Sequence, residues 1–193
     1  MDISLDIVKE LRDKTGVSIM QCKKALEEAN GDMAQAEVIL KKRSGAAADK
    51  KADRELGAGA IGSYVHDGVV GSMVLLSSET DFVSKNPEFT DLARALAMHI
   101  AATNPTCLSS EEISEEAKEA AMTVFKEEVK DKPTEMQEKI LEGKMASYFK
   151  DQVLLEQSYI RDESKTIRDL LNEASQKFGE RVEITKFARF SAR

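Results

Sequence analysis

The sequence predicts an α+β fold: a three-helix module at the N-terminus, then a small antiparallel sheet packed with helices and bearing a projecting helical hairpin. Apolar residues recur at helical spacing in three short segments of residues 1–45, each bounded by cap and stop residues. Residues 61–76 read as two β-runs around Asp67-Gly68, and residues 182–190 as another. Between them, residues 86–179 carry long 3.6-residue periods.

Taken in order, Ser4 caps a helix burying Leu5, Val8 and Leu11, and Thr15-Gly16 ends it. Ser18 with Gln21 opens a second, carrying Cys22, Ala25, Leu26 and Ala29 inward until Asn30-Gly31. Asp32 caps a third with Ala36, Ile39 and Leu40 on one face. A bundle of this size is marginal alone, which suggests a docking unit attached to a larger body. Residues 46–56, rich in Ala and Lys with few large apolar side chains, read as a linker or exposed helix, leaving residues 57–193 as the core. Lys41, Lys42 and Arg43 complement a helix C-terminus rather than form a phosphate patch.

Residues 57–62, Gly-Ala-Gly-Ala-Ile-Gly, match the dinucleotide fingerprint literally, but a charged stretch precedes them and a β-run follows. That inverts the strand-then-helix order the fingerprint needs, so a flexible lead into a strand is the reading. The strand over 69–76 is apolar at both parities: Val69, Met73 and Leu75 on one face, Val70, Val74 and Leu76 on the other. In 182–190, Val182, Ile184, Ala188 and Phe190 share a face and Phe187 takes the opposite one. Two apolar faces need two covers, one from the chain's own helices and one from a second subunit, with Phe187 and Val74 the candidate interface residues. From Asn86-Pro87 a helix buries Phe89, Leu92, Ala93, Leu96 and Ile100, and Asn104-Pro105 ends it. Ser109 with Glu112, then Thr134 with Gln137 beyond Pro133, open the two arms of a charged helical hairpin over 109–150. Ser164 caps the last helix, which Gly179 closes.

With 28 basic and 35 acidic residues the formal charge is −7, the wrong sign for neutralising phosphate, and Trp is absent. Direct nucleic-acid binding is therefore not expected. Cys22 and Cys107 stand far apart without metal-ligand spacing, so no disulfide framework and no metal site are expected and a reducing compartment fits. The N-terminus has helical rather than signal-like patterning and no apolar run is long enough to span a bilayer, so a cytoplasmic protein is expected, with no membrane association. Catalytic chemistry finds little support. The two histidines fall at a hairpin tip, His66, and inside an apolar helix face, His99, and no phosphate-binding GxxxxGK loop is present. The residues favour a binding or regulatory protein over an enzyme, with no cofactor.

One stretch resists that plain reading. After the β-run stops at Glu79, Asp81 and Phe82 stand side by side just ahead of the helix start at Asn86-Pro87. The segment Thr80-Asp81-Phe82-Val83-Ser84-Lys85-Asn86 resembles a signature of the bacterial-type translation elongation factor Ts family. So does Leu11-Arg12-Asp13-Lys14-Thr15-Gly16 with Met20 and Cys22-Lys23-Lys24-Ala25-Leu26. Residues 61–66 and 152–157 are similar to two further segments, in the family's order, and the length resembles its short, single-core form. The resemblance implies a guanine-nucleotide exchange factor for the GTPase elongation factor Tu, a ubiquitin-associated-like (UBA-like) N-terminal module docking on that GTPase, and a homodimer. It makes Phe82 a wedge near the partner's magnesium site with Asp81 its polar neighbour, Arg12, Ile19 and Met20 contacts of the docking loop, and His66 a further contact. Val17, Ser18, Ile19 and Gln21 replace four residues of the family's Thr-Gly-Ala-Gly-Met-Met-Asp-Cys pattern, and β-branched Val17 stiffens that loop. The competing reading is a dimeric UBA-like adaptor that binds other proteins.

Overall fold

The computed structural model of the chain describes residues 3–130 and 133–192. Helices α1 (Leu5–Thr15), α2 (Ile19–Glu28) and α3 (Met33–Asp49) each start on an oxygen-bearing side chain, with Ser4 accepting from Asp6 N, Ser18 from Gln21 N and Asp32 from Gln35 N. Gly16, at φ 68°, and the Asn30-Gly31 pair, at φ 52° and 87°, supply the left-handed backbone that stops the first two helices. Val8, Leu11, Val17, Cys22, Leu26 and Leu40 meet in a core of their own. Leu5, expected inside, is 71% exposed because it sits a turn ahead of the buried stripe at the helix start. α3 runs on to Asp49, through the first residues of the stretch read as a linker.

The sheet has order β1-β2-β5 and is antiparallel throughout: β1 (Ala58–His66), β2 (Val70–Ser78) and β5 (Val182–Ser191). Asp67 and Gly68, both at positive φ, make the β1–β2 turn. Helix α4 (Asp81–Ser84) is a single turn, and α5 (Pro87–Thr103) crosses the inner face of the sheet. A Cβ on Gly62 would lie 2.1 Å from the Ala93 carbonyl oxygen, so α5 approaches β1 more closely than any side chain permits. The same added atom on Gly59 would stand 2.7 Å from Leu76 O. These two glycines of the run serve close packing, and residues 58–62 belong to β1 itself rather than to a flexible lead ahead of it.

β5 departs from simple alternation. Leu75 pairs with Lys186 and Leu76 with Ile184, so Thr185 is an extra residue that reverses the parity. Val182, Ile184 and Phe187 consequently share the inner face, whereas Phe190, expected with them, is 71% exposed. Phe187 pairs directly with Val74, which is 1% exposed. Val74, expected at a subunit interface, thus packs in the chain's own core under α5, and Phe187, turned to the same face by the bulge, is half-buried against that core, a correction for both. The outer face instead presents Ile61, Val65, Met73 and Phe190.

Helices α6 (Glu115–Val129) and α7 (Thr134–Gln152) run antiparallel, since Phe125 meets Tyr148 and Glu128 meets Lys144. α6 is capped by Ser114, not Ser109. Glu112 is spent accepting from Leu108 N at 2.7 Å, and Ser110–Glu112 forms a 3-10 turn. A small hairpin of β3 (Ser158–Tyr159) and β4 (Asp162–Thr166) leads into α8 (Ile167–Phe178). Thr166 rather than Ser164 caps α8, because Asp169 three residues on returns the bond in a full capping box, while Ser164 donates to Asp162 within β4. The main core joins α5, α8 and the sheet through Leu76, Phe89, Leu96, Ile100, Leu154 and Ile167. α3 packs along α8, tied by Lys41 to Asp169 at 2.9 Å, and Lys51 Nζ donates to Ser175 O at 2.7 Å. Arg43 pairs with Glu28, so two cations of the 41–43 run have carboxylate partners.

Candidate functional site

Beyond Ser78 the chain leaves β2 and makes the single turn α4, whose last two residues are buried. Val83 is 4% and Ser84 7% exposed, while Phe82 between Asp81 and Val83 is 83% exposed. In one helical turn the apolar Val83 enters the core and swings its predecessor outward, so the ring is displayed by its neighbours' burial. Asn86 accepts from Glu88 N at 2.9 Å and Pro87 starts α5, which fixes the chain on the far side. Asp81 receives Lys85 Nζ at 2.6 Å, and that hydrogen bond and charge hold its carboxyl below the usual range although it is exposed.

The near side is fixed by residues a hundred positions away. Thr80 donates from N and Oγ1 to the two carboxylate oxygens of Glu180, at 3.0 and 2.6 Å. Glu79 Oε1 accepts from Arg181 N at 2.6 Å and from Arg54 Nη1 at 3.1 Å. Burial pushes the Glu79 carboxyl upward, but those donors outweigh it and hold it lower. Glu180 is marked by no local pattern, and only its junction with Thr80 in space shows its part.

Phe82 borders an open cleft of about 620 Å³ whose other walls include Arg12, Lys14, Gly16, Asn86 and Lys177. The structure therefore brings Arg12 of α1 and Phe82 to one surface. Ile19 and Met20, 49% and 68% exposed, stand at the start of α2 just past the α1–α2 loop, outside the cleft lining. His66 lies elsewhere. Ala58 pairs with Ser78 and His66 with Val70, so His66 is at the far end of the hairpin, about 26 Å along the strand from the end that leads to Phe82. It is exposed, with Tyr64 Oη 3.1 Å from its Nδ1. A partner touching both must be a macromolecule.

Among the described residues no group of His, Cys, Asp and Glu could hold a metal ion, and no helix is long and apolar enough to cross a membrane. His99 is buried, with Nε2 2.9 Å from Gln157 Oε1 and Nδ1 facing Ile160 N at 3.4 Å. Burial holds it below the ordinary histidine range, and it joins core elements rather than a site. Burial likewise raises the Cys22 thiol. The site is a surface with a projecting aromatic, suited to binding.

A family model described as Elongation factor TS matches residues 48–193. The elongation factor Ts of Thermosipho melanesiensis is 45% identical over 192 residues, covering 98% of each chain. That of Thermotoga maritima is 44% identical over 191 residues, covering 98% of this chain and 96% of its own. The Oleidesulfovibrio alaskensis protein of the same name is 45% identical over 191 residues, covering 97% and 96%.

Proposed function

The chain belongs to the elongation factor Ts family of translation elongation factors, and from that premise we propose that it is a guanine-nucleotide exchange factor that releases GDP from elongation factor Tu. The observation that carries this is Phe82, large, apolar and 83% exposed on a turn whose next two residues are buried. An aromatic so placed does nothing for its own fold and is held ready to enter another protein. Asp81 and Phe82 act as the wedge at the partner's magnesium and phosphate site. The N-terminal 45 residues act as the UBA-like docking module through Arg12, Ile19 and Met20, and His66 reaches a separate part of the same partner.

Exchange requires no covalent step and makes the protein no enzyme in the chemical sense. A factor that binds the empty GTPase more tightly than the GDP-bound one is weakened by GDP in the same ratio. A shift of about 10⁴ takes on the order of 5.5 kcal/mol of differential contact. One aromatic supplies roughly 1.5 to 3 kcal/mol on burial, so Phe82 must act together with disturbance of the magnesium environment. The protein works in the cytoplasm, where elongation factor Tu is.

We also propose a homodimer formed through the outer sheet face. Ile61, Val65, Met73 and Phe190 are exposed on that one face, where Lys186 stands opposite Leu75. A twofold axis sets such a face against its copy, apolar on apolar. Calorimetric titration of elongation factor Tu with the protein, with and without GDP, tests the exchange reading. Tight binding that GDP weakens supports it, and GDP-independent or absent binding turns the account toward the adaptor reading.

A further inference from the structure

We propose that Glu180 is a positioning residue for Phe82, a role that rests on the exchange reading above. Two pairs of adjacent residues exchange bonds across the junction of β2 and β5. Glu79 accepts from Arg181 N at 2.6 Å, and Glu180 accepts from Thr80 N at 3.0 Å and Thr80 Oγ1 at 2.6 Å. The last ladder pair of these strands is Ser78 with Val182, so this clasp lies beyond the sheet and is not needed to close it. It falls instead at the residue that opens α4, two positions before Phe82.

The geometry makes Glu180 the part of the clasp that governs the ring. Thr80 O is engaged inside the turn by Ser84 N at 3.3 Å, and Ser78 Oγ also donates to it at 3.0 Å. Its N–H and hydroxyl have Glu180 as their acceptor. A half-buried carboxylate taking two parallel donors fixes direction as well as distance. Gly179, at φ 75°, turns the chain out of α8 and delivers Glu180 to that spot. Arg54 and Lys51 supply the compensating charge around the neighbouring Glu79, and Arg181 adds its backbone N–H. With Glu180 removed, Val83, Ser84 and the bonds to Thr80 O still hold α4, but the N–H and hydroxyl of its N-cap Thr80 lose their acceptor, and the turn that carries Phe82 loosens. An aromatic that must be ordered during the encounter is a poorer wedge, and small misplacements of a working group are costly. Docking through Arg12, Ile19 and Met20 on the other module is untouched.

The experiment measures fluorescent GDP release from elongation factor Tu over a range of factor concentrations for wild type, E180A, E180Q, T80V and F82A, with melting temperatures alongside. E180A is expected to lower the maximal rate about tenfold while the half-saturating concentration stays within about twofold. E180Q, which keeps an acceptor for Thr80 N and can donate to the hydroxyl oxygen, is expected to restore most of the rate. A fluorine label on the ring at position 82 should gain mobility in E180A and lose it again in E180Q. If E180A melts more than about 4 °C lower, T80V decides, since it removes the hydroxyl arm alone: release slowed about threefold supports the role, and release at the wild-type rate overturns it. If F82A is slow and E180A releases GDP at the wild-type maximal rate, the positioning role is wrong and the exchange reading stands. If both match an active wild type, the wedge has failed and this role falls with it; if wild type itself leaves release unaccelerated, the exchange reading has failed.

Discussion

Replacing Phe82 by alanine removes a ring that contributes almost nothing to the fold and, on this account, much of the work done on the partner. At 83% exposure it has little packing to lose, so stability should change by less than about 0.5 kcal/mol, which is under about 2 °C in Tm for a chain of this size. Phe89 is the internal control. It is fully buried, meets Phe178 edge-on at 5.8 Å, and its truncation should cost about 3 to 5 kcal/mol and about 10 °C. Against the GTPase the order reverses. A phenyl ring taken from water into a partner contributes about 1.5 to 3 kcal/mol, equivalent to about 10- to 150-fold in rate if the gain is made only in the exchange transition state. Stopped-flow release of labelled GDP read beside calorimetric melting separates the effects. Wild-type release by F82A, or a melting loss comparable to that of F89A, would refute the reasoning, because the ring would then be either idle or structural.

Gly62→Ala should destabilise by roughly 3 kcal/mol or more, because its methyl would meet the Ala93 carbonyl at 2.1 Å and backbone must move; urea unfolding checks it. Phe190→Asp together with Met73→Asp should convert a dimer to a monomer in sedimentation at micromolar protein without lowering the melting temperature of the monomer, and a sedimentation coefficient that does not change would contradict the face-to-face arrangement. His99 is held neutral by burial and receives a bond from Ile160 N. Its folded value lies below the unfolded one, so its part of the stability is whole above about pH 6.5 and falls away as pH drops below that. Melting curves at pH 7.5 and 5.5 should show that loss in wild type and less of it in His99→Gln.

Much of the fold was legible because its local signals agree. Caps at Ser4, Ser18, Asp32 and Asn86, stops at Gly16 and Asn30-Gly31, and the Asp67-Gly68 turn all act within a few residues and all lie where the pattern put them. What failed depended on competition or on distance. Ser109 and Ser164 have the chemistry of a cap, but Ser114 and Thr166 had it too, and Glu112 and Asp169 decided between them. The parity of β5 is not legible because the bulge at Thr185 leaves no mark in a run of mixed polar and apolar residues. For the site, the exposure of Phe82 and its cleft shared with Arg12 emerge only from the fold. The Thr80–Glu180 clasp spans a hundred positions that no periodicity connects.

Exchange is tested most directly by release of fluorescent GDP from elongation factor Tu, followed after mixing with excess unlabelled nucleotide in the presence and absence of this protein. Release is expected to accelerate by orders of magnitude and to saturate with factor concentration. Release at the same rate with and without the protein would contradict it.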